Sequence, residues 1–400
     1  MRNILQGKEI VLGVSGGIAA YKAVELVSML RKEGASVHVV MTKNATRFVT
    51  PLTFEAISGN PVLLNTFDSP MPVPHIELTR RSDLFIVAPA TGNLLGKIQS
   101  GIADDLLTTC LLAANGPVLL VPSMNTRMWE NTIVRQNVLK LKGLGYRVLE
   151  PEEGQLVCGE EGKGRLPRLE EIVEMAKDLV TDKDLSEETI LVTAGATVEP
   201  IDPVRFISNR SSGKMGFAIA KVARRRGADV ILIAGRTEID LPRRDITIVR
   251  VETAMDMREA VLQHFSSASI VIKAAAVSDF RCKNVATRKI KKDSTPVLEL
   301  ERNPDILKEL GEKKEGRILV GFAAETHEAE QSALIKLREK NLDMIVVNDV
   351  SKQGIGFGSD LNEVVIISSD GKKRYIPPSH KEDVAQEILN AVKEVRERSL

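Results

Sequence analysis

The sequence has few cysteines, no long apolar run and almost no net charge, and each absence excludes a class of protein. Three cysteines in 400 residues are too few for a disulfide-stabilised scaffold and are typical of a reducing compartment. No apolar run reaches the roughly 18 residues that a membrane-spanning helix needs. A formal charge of +1 argues against a nucleic-acid-binding or membrane-surface protein. We therefore expect a cytoplasmic protein with no nucleic-acid or membrane partner.

The first half opens with the pattern of a strand–helix–strand unit. Apolar residues 9–14 predict a buried strand, Ser15-Gly16-Gly17 a turn, and the apolar spacing up to about Lys32 a helix. Gly34 is suited to end that helix, and residues 36–41 form the next apolar run. This order predicts two parallel strands joined by a helix.

The second half repeats the plan after a charged segment. Residues 189–193 predict a strand, 215–226 a helix and 229–233 a second strand. The string RRGADVILI echoes KEGASVHVV of the first half. The charge-rich residues 178–188 lie between the halves, where we expect a linker.

Strands and helices alternate along most of the chain. Further apolar runs that predict buried strands lie at residues 84–88, 118–121, 270–273, 318–320 and 344–347. The alternation predicts an α/β fold with two doubly wound, mostly parallel sheets. We assign one domain to residues 1–180, a linker to 181–188 and the second domain to 189–400. Such sheets bind ligands at the carboxyl ends of their strands.

The glycine-rich turn after the first strand has two interpretations. Glycines at a helix N-terminus let the backbone approach a phosphate, but the same turn is compatible with a plain tight connection. A dinucleotide site also needs an acidic residue at the end of the second strand. The two corresponding segments are Met41-Thr42 and Ala234-Gly235-Arg236. Neither is acidic, which disfavours NAD and favours a mononucleotide.

Two side chains of the first half could carry chemistry. His75 lies in the proline-rich string SPMPVPHIEL, where a lone histidine is either structural or catalytic. Cys158 begins the glycine-rich string CGEEGKGR, which predicts a mobile flap. A thiol beside Lys163 and Arg165 could transfer a proton, although a lone loop cysteine can also be inert.

The second half contains an anion-binding pattern that is not a P-loop. Residues 207–216 (ISNRSSGKMG) combine hydroxyls, glycines and a lysine ahead of a helix. The basic run 289–292 (KIKK) could neutralise a polyphosphate or form a solvated surface. Asp279 follows a predicted strand, where Mg²⁺ or a nucleotide could bind.

Taken together, these segments resemble one family almost from end to end. The sequence is similar to the bifunctional coenzyme A biosynthesis proteins of bacteria and archaea, in which phosphopantothenoylcysteine decarboxylase is fused to phosphopantothenate–cysteine ligase. The strings that carry the resemblance are GVSGGIAAYK (13–22), HIE (75–77), APAT (88–91), PSMNTRMW (122–129), the flap (158–165), the segment 192–220, AAAVSDF (274–280), KIKK (289–292), NPDIL (303–307), GFAAET (321–326) and NDVS (348–351).

The resemblance implies FMN in a flavodoxin-like first domain. FMN would oxidise the cysteine moiety of phosphopantothenoylcysteine so that carbon dioxide can leave. His75 matches the active-site histidine, Asn125 the residue that holds the substrate, and Cys158 the proton donor. Family members often have alanine where this chain has Gly92. The implied cofactor-binding residues are Ser15, Gly16, Gly17, Thr42, Thr91 and Asn93.

The resemblance also implies a Rossmann-like ligase domain that uses CTP. CTP would activate the carboxylate of 4′-phosphopantothenate as an acyl-cytidylate, which the amine of L-cysteine then attacks. Asn209 matches the residue that holds the acyl intermediate, with Arg205 nearby. Lys289 would face the triphosphate, although Lys291 or Lys292 could replace it. The implied nucleotide pocket comprises Ala274, Ala275, Asp279, Lys289, Asn303, Pro304, Asp305, Ile306, Phe322, Lys336 and Lys340.

The resemblance extends to the metal and the assembly. Mg²⁺ would screen the phosphates, with Asp279 as its candidate ligand. Trimeric contacts in the first domain and dimeric contacts in the second would give a homo-oligomer, expected to be a dodecamer. The predicted function is ligation followed by decarboxylation. The alternatives are a flavoprotein with only one active half and a nicotinamide-dependent oxidoreductase.

Overall fold

The chain divides into two compact units, residues 2–181 and 182–400. None of the helices in the described part of the chain has both the length and the apolar character needed to cross a membrane. The computed structural model describes residues 4–67, 72–155, 159, 161–237, 239, 245–291, 297–325, 329–349 and 358–399.

The first unit is built on a five-stranded parallel sheet. Its strands stand in the order β2-β1-β3-β4-β5, which is the order of flavodoxin-like doubly wound folds. A separate antiparallel hairpin, β6–β7, follows the last strand of the sheet. The strands are β1 (Glu9–Val14), β2 (Ser36–Met41), β3 (Leu84–Ala90), β4 (Val118–Pro122), β5 (Arg147–Val148), β6 (Glu152–Gln155) and β7 (Glu161–Arg165).

Helices cover both faces of this sheet. Leu26, Phe54 and Ile172 belong to the core on one face, and Leu106 and Leu141 belong to the core on the other. Both faces of the strands are therefore apolar, as parallel sheets require. A short 3₁₀ helix spans Ala45–Arg47. The α-helices are α1 (Ala20–Lys32), α2 (Pro51–Ser58), α3 (Pro74–Arg81), α4 (Gly92–Gln99), α5 (Leu106–Ala113), α6 (Thr126–Glu130), α7 (Thr132–Gly143) and α8 (Leu169–Val180).

The second unit is built on an eight-stranded sheet in the order β12-β11-β8-β13-β16-β17-β18-β19. The first six strands are parallel and follow the Rossmann order. Strand β18 runs antiparallel to β17, and β19 runs antiparallel to β18. Two small antiparallel pairs, β9–β10 and β14–β15, lie outside the sheet. The strands are β8 (Thr189–Ala194), β9 (Val198–Pro200), β10 (Phe206–Ser208), β11 (Asp229–Ala234), β12 (Thr247–Arg250), β13 (Ile270–Lys273), β14 (Phe280–Cys282), β15 (Leu300–Arg302), β16 (Ile318–Glu325), β17 (Met344–Asp349), β18 (Leu361–Ser368) and β19 (Lys373–His380).

The helices of the second unit also cover both faces of its sheet. Phe217 and Leu389 belong to the core on one face, and Met257, Leu310 and Leu337 belong to the core on the other. The helices are α9 (Lys214–Arg225), α10 (Ala254–Phe265), α11 (Ile306–Glu312), α12 (Ala329–Glu339) and α13 (Lys381–Ser399).

The predicted fold class is confirmed. Both sheets reverse their strand order at a switch point, which lies between β1 and β3 in the first unit and between β8 and β13 in the second. Ligands bind at such points. The four small strands outside the second sheet, its antiparallel edge and the β6–β7 hairpin were not predicted from the sequence.

The charged segment that lies between the two sheets in the sequence packs on the second unit. Leu185 is only 3% exposed and belongs to that unit's core. Asp184 forms an ion pair with Arg226, with 2.7 Å between Oδ2 and Nη2, and another with Lys393. These contacts hold part of the segment predicted as a linker against the second unit.

Candidate functional site

A cavity of about 500 Å³ lies at the switch point of the first unit. Three chain segments that follow β1, β3 and β4 form it together with the β6–β7 hairpin. Ile18, Tyr21 and Met128 are large side chains of its wall, and they are 52%, 59% and 50% exposed. An apolar wall of this kind suits a flat ring system. The lining residues are Gly16, Gly17, Ile18, Ala19, Tyr21, Lys22, Thr91, Gly92, Ser123, Met124, Asn125, Met128, Gln155, Gly164, Arg165 and Leu166.

Ser15 ties the first two of these segments together. Its Oγ donates to the Pro89 carbonyl oxygen at 2.7 Å and accepts from the Thr91 backbone N–H at 3.0 Å. The Thr91 hydroxyl in turn caps α4 by accepting from the Leu94 N–H. The N-terminus of α4 is thereby held beside the Gly16-Gly17 turn, where amide N–H groups favour a bound anion.

The β6–β7 hairpin is fixed to the third segment by close backbone contact. The Met124 N–H donates to the Gly164 carbonyl oxygen at 3.0 Å, and the Ser123 hydroxyl donates to the same oxygen. A Cβ at residue 164 would overlap the Met124 carbonyl oxygen. The described part of the predicted flap is therefore an ordered hairpin that closes one side of the cavity.

Charged side chains also hold the hairpin. Lys163 Nζ lies 2.6 Å from Glu150 Oε2 and 5.9 Å from the centre of the Trp129 ring. Hydrogen bonds from Lys142 and Lys163 lower the pKa of Glu150 to about 2. The carboxylate therefore stays charged, and keeps its lysine partners, across the range in which enzymes work.

Some of the site residues predicted for the first half line this cavity. Gly16, Gly17, Thr91 and Asn125 line it, whereas Ser15 is buried and is not among the lining residues. Asn125 also caps α6, since its Oδ1 accepts from the Arg127 N–H at 2.9 Å.

Other predicted residues lie elsewhere. Thr42, Asn93 and His75 are not among the lining residues. His75 is in the first turn of α3, and its Nδ1 is buried with no hydrogen-bond partner among the described residues. Cys158 lies outside the described residues. Its role and the mobility predicted for the flap tip therefore stay predictions.

The residues present fit an FMN group. A Cβ at residue 16 would overlap the Asn44 side chain and lie 3.0 Å from the Asn44 carbonyl carbon, so only glycine lets these loops meet there. The resulting turn and the N-terminus of α4 suit the phosphate, and the apolar wall suits the ring.

A second cavity, of about 510 Å³, lies at the switch point of the second unit. Asn209 and all but one of the predicted nucleotide-pocket residues line it. The residues that were predicted and are found in its lining are Asn209, Ala274, Ala275, Asp279, Asn303, Pro304, Asp305, Ile306, Phe322, Lys336 and Lys340.

Short-range polar contacts shape this second cavity. Asn209 Nδ2 donates to the Val277 carbonyl oxygen at 3.1 Å. Asn303 Nδ2 donates to the Ser278 carbonyl oxygen at 2.9 Å, while the Ser278 hydroxyl is buried without a partner among the described residues. Lys340 Nζ pairs with Asp305 Oδ2 at 2.8 Å. The cavity therefore offers donors, acceptors and charge to a polar ligand.

Lys273, at the end of the central strand β13, was not predicted as a site residue. Burial, together with the nearby charge of Lys340, lowers its pKa to about 8, against the opposing effect of Asp305 and Asp279. Lys273 lines the cavity together with Lys340 and Asp305. A charged residue directly after an apolar strand (IVIK) was the signal in the sequence.

Arg205 and Lys289 lie outside the lining of the second cavity. Arg205 Nη2 donates to the Ile290 carbonyl oxygen at 3.2 Å, and Asp202 Oδ2 accepts from the Ile290 N–H at 3.1 Å. These two residues fix the backbone next to Lys289, whose side chain is exposed, as is that of Lys291. Lys292 lies outside the described residues.

No group of three or more histidine, cysteine, aspartate or glutamate side chains in the described ranges is arranged to hold a metal ion. Asp279 is exposed at the rim of the second cavity. A cation there would therefore need ligands from a bound substrate.

Comparisons with known proteins match both units. The family model described as "Flavoprotein" matches residues 2–181, and that of the "DNA/pantothenate metabolism flavoprotein C-terminal domain" matches 185–395. The Coenzyme A biosynthesis bifunctional protein CoaBC of Bacillus subtilis is 49% identical and covers 99% of this chain and 100% of its own. That of Haemophilus influenzae is 43% identical, with 99% and 100% covered.

A solved structure of the C-terminal domain of a protein of that name is 47% identical. It covers 54% of this chain and 98% of its own, with a TM-score of 0.47.

Proposed function

The chain belongs to the family of coenzyme A biosynthesis bifunctional proteins, and we propose that each of its two units carries one of the two activities. It is a bifunctional enzyme that ligates cysteine to 4′-phosphopantothenate and decarboxylates the product to 4′-phosphopantetheine. The first unit is the FMN-dependent decarboxylase and the second is the ligase. The main support for this division is that each unit has its own cavity at its own switch point.

FMN binds in the first cavity. The Gly16-Gly17 turn and the N-terminus of α4 receive its phosphate, with Ser15 and Thr91 holding those two segments in register. Thr42 and Asn93 are also among the residues that bind FMN. Bound FMN would supply the two-electron oxidation of the substrate's cysteine moiety that makes the loss of carbon dioxide possible, and would return the two electrons afterwards, so that no net redox change remains.

The chain's own side chains hold the substrate of the decarboxylase and move its protons. Asn125, at the N-terminus of α6, binds the substrate with the part of its amide that faces the cavity. His75 acts as the active-site histidine, and Cys158 donates a proton to the carbon that loses its carboxyl group. The β6–β7 hairpin keeps water from the reacting atoms, and Cys158 falls between its two strands in the sequence.

CTP and 4′-phosphopantothenate bind in the second cavity. CTP activates the carboxylate as an acyl-cytidylate, because a free carboxylate is a poor electrophile. The amide of Asn209 holds the acyl intermediate with Arg205 nearby, and Lys289, which lies outside the lining of the cavity, faces the triphosphate. L-Cysteine then attacks through its amine. The eleven residues of the predicted nucleotide pocket, from Ala274 to Lys340, bind the nucleotide.

Mg²⁺ binds to the ligase together with the triphosphate of CTP. Bound Mg²⁺ would screen the charge of the phosphates. Asp279 contributes a carboxylate from the rim of the cavity.

The protein works as a cytoplasmic homo-oligomer, with trimeric contacts in the first unit and dimeric contacts in the second, forming a dodecamer. His75 lies outside the lining of the cavity that contains Asn125. We propose that a trimeric contact brings His75 of one copy to the cavity of another.

Complementation between two inactive variants tests this arrangement. His75→Ala and Asn125→Ala should each abolish decarboxylation, whereas co-expressed variants should regain a fraction of it, because mixed oligomers contain some intact cavities. Carbon dioxide release from phosphopantothenoylcysteine is the measurement. If mixed oligomers form, as verified by two affinity tags, and remain inactive, the two residues act within one chain.

A coupled assay of the full chain tests the proposed function. With 4′-phosphopantothenate, cysteine and CTP we expect pyrophosphate, then carbon dioxide, and bound flavin visible by its absorbance. The alternatives of one inactive half and of a nicotinamide-dependent oxidoreductase are not favoured. Pyrophosphate without carbon dioxide would favour the first of them, and tight NAD binding without flavin would favour the second.

A further inference from the structure

The turn between β9 and β10 contains a buried carboxylate that has no assigned role. Asp202 lies in this turn, and its side chain is 0% exposed. The two strands pair in antiparallel fashion, and Asn209 directly follows the second of them. A buried charge needs hydrogen-bond or ionic partners, so the partners of this carboxylate indicate what it does.

Three backbone N–H groups donate to the Asp202 carboxylate. Oδ1 accepts from the N–H groups of Val204 and Arg205, each at 2.8 Å. Oδ2 accepts at 3.1 Å from the N–H of Ile290, which lies 88 residues further along the chain. Burial by itself would raise the pKa of Asp202, but these three hydrogen bonds and the charge of Arg205 outweigh it, so that the pKa lies below its usual value. The carboxylate is therefore charged at neutral pH.

Ile290 is held through both of its backbone polar groups. Its N–H donates to Asp202, and its carbonyl oxygen accepts from Arg205 Nη2 at 3.2 Å. A further hydrogen bond joins the same two segments, from the Ala286 N–H to the Ile201 carbonyl oxygen at 3.0 Å. The loop that contains Ile290 is therefore attached to the β9–β10 turn at three points.

The residue before Ile290 is Lys289, which faces the triphosphate in the proposed function. Its side chain is exposed, and a long exposed side chain has many accessible rotamers. The region that its ammonium group can reach therefore depends on where the backbone of the loop is held. A backbone that is ordered before the nucleotide arrives reduces the entropy lost on binding.

We propose that Asp202 is a positioning residue of the ligase, which holds Lys289 through Ile290 so that its ammonium group reaches the triphosphate. This inference rests on the proposed function. Because β10 leads from the same turn to Asn209, the contact also fixes the residue that holds the acyl intermediate relative to the one that faces the triphosphate. Asp202 itself touches no substrate and acts through the backbone alone.

Asp202→Asn removes one of the three hydrogen bonds and keeps the size of the side chain. The amide oxygen can still accept from Val204 and Arg205, whereas Nδ2 is a donor and cannot accept from the Ile290 N–H. We expect calorimetric titration of the full-length variant to give about tenfold weaker binding of CTP. Cytidine has no phosphate, and its binding should stay within about twofold of the wild-type value.

A double-mutant cycle with Lys289→Ala gives a readout that a merely structural role would not produce. If Asp202 acts through Lys289, each single variant binds CTP more weakly than the wild type. The variant with both changes should then bind CTP no more weakly than Lys289→Ala alone. Two independent effects would multiply instead.

Two further variants control for loss of structure. Asp202→Ser retains an acceptor for the local turn, but its shorter side chain cannot reach Ile290, so it should weaken CTP binding in the same way. It decides the question if thermal unfolding shows that Asp202→Asn does not fold. Asp256→Asn changes another carboxylate of the same unit that accepts a backbone N–H, from Thr253 at the start of α10, and should leave CTP binding unchanged.

The outcomes separate this inference from the proposed function. Normal CTP binding in folded Asp202→Asn or Asp202→Ser, beside weaker binding in Lys289→Ala, would overturn the inference and leave the role of Lys289 intact. Effects that multiply in the double variant would overturn it too. If Lys289→Ala binds CTP normally, or if the wild-type protein does not bind CTP, the proposed function is wrong at that point and the inference fails with it.

Discussion

Gly16→Ala is expected to remove the flavin from the protein while leaving ligation intact. The new methyl group would overlap the Asn44 side chain, which would push the turn away from the N-terminus of α4. Overpacking of this kind costs about 1–3 kcal/mol, so flavin binding should weaken about tenfold to a hundredfold or more. Visible absorbance of the purified protein and titration of the apoprotein with FMN measure the effect.

Gly92→Ala is the matched control for this prediction. Gly92 also lines the first cavity, but a Cβ there would meet Met124 Sδ and Met128 Cε at 3.7 Å, which are ordinary contacts. We therefore expect normal flavin content. Equal flavin affinity in Gly16→Ala and Gly92→Ala would show that the close approach of Gly16 to Asn44 does not shape the cofactor site.

Asn209→Asp is expected to stop amide formation without affecting decarboxylation. The amide N–H that now reaches the Val277 carbonyl oxygen would be replaced by a carboxylate oxygen, which that carbonyl and a bound phosphate both repel. Loss of a neutral donor beside reacting atoms typically costs about 100- to 1000-fold in rate. Product formation from 4′-phosphopantothenate, cysteine and CTP measures the effect.

The same preparation supplies its own control for Asn209→Asp. Decarboxylation of added phosphopantothenoylcysteine should proceed at the wild-type rate, because the first unit has its own cavity. Ligation that remains within about twofold of wild type would remove Asn209 from the mechanism. A loss of both activities would indicate misfolding rather than a local effect.

The repeated strand–turn–helix pattern made both parallel sheets predictable. Each central strand is a continuous apolar run, and β1, β2, β8 and β13 begin at the residues predicted for them. Local pattern is sufficient where a strand is buried on both faces. The β6–β7 hairpin escaped prediction because its glycines and charges show no alternation, since Gly164 packs by backbone contact rather than by a side chain.

Site residues were predictable where a motif follows a strand, and less so elsewhere. Asn209 and Asp305 fall in recognisable strings, and both line the second cavity. Lys214 and Lys381 also line this cavity, but Lys381 begins the last helix, more than 150 residues after Lys214, and no local pattern connects the two. Only the packing of α9 against α13 makes them neighbours, and tertiary contacts of this kind are not encoded in any short window of sequence.

The packing of residues 182–188 on the second unit determines where the chain can be divided. Asp184 neutralises the guanidinium of Arg226, which is 3% exposed. A fragment beginning at Thr189 would lose this partner together with the apolar anchor Leu185, and a buried cation without its carboxylate is strongly destabilising. Any separately produced ligase should therefore retain the chain from Asp182 onward, so that its amino-terminal extension is treated as part of the domain and not as a dispensable tether.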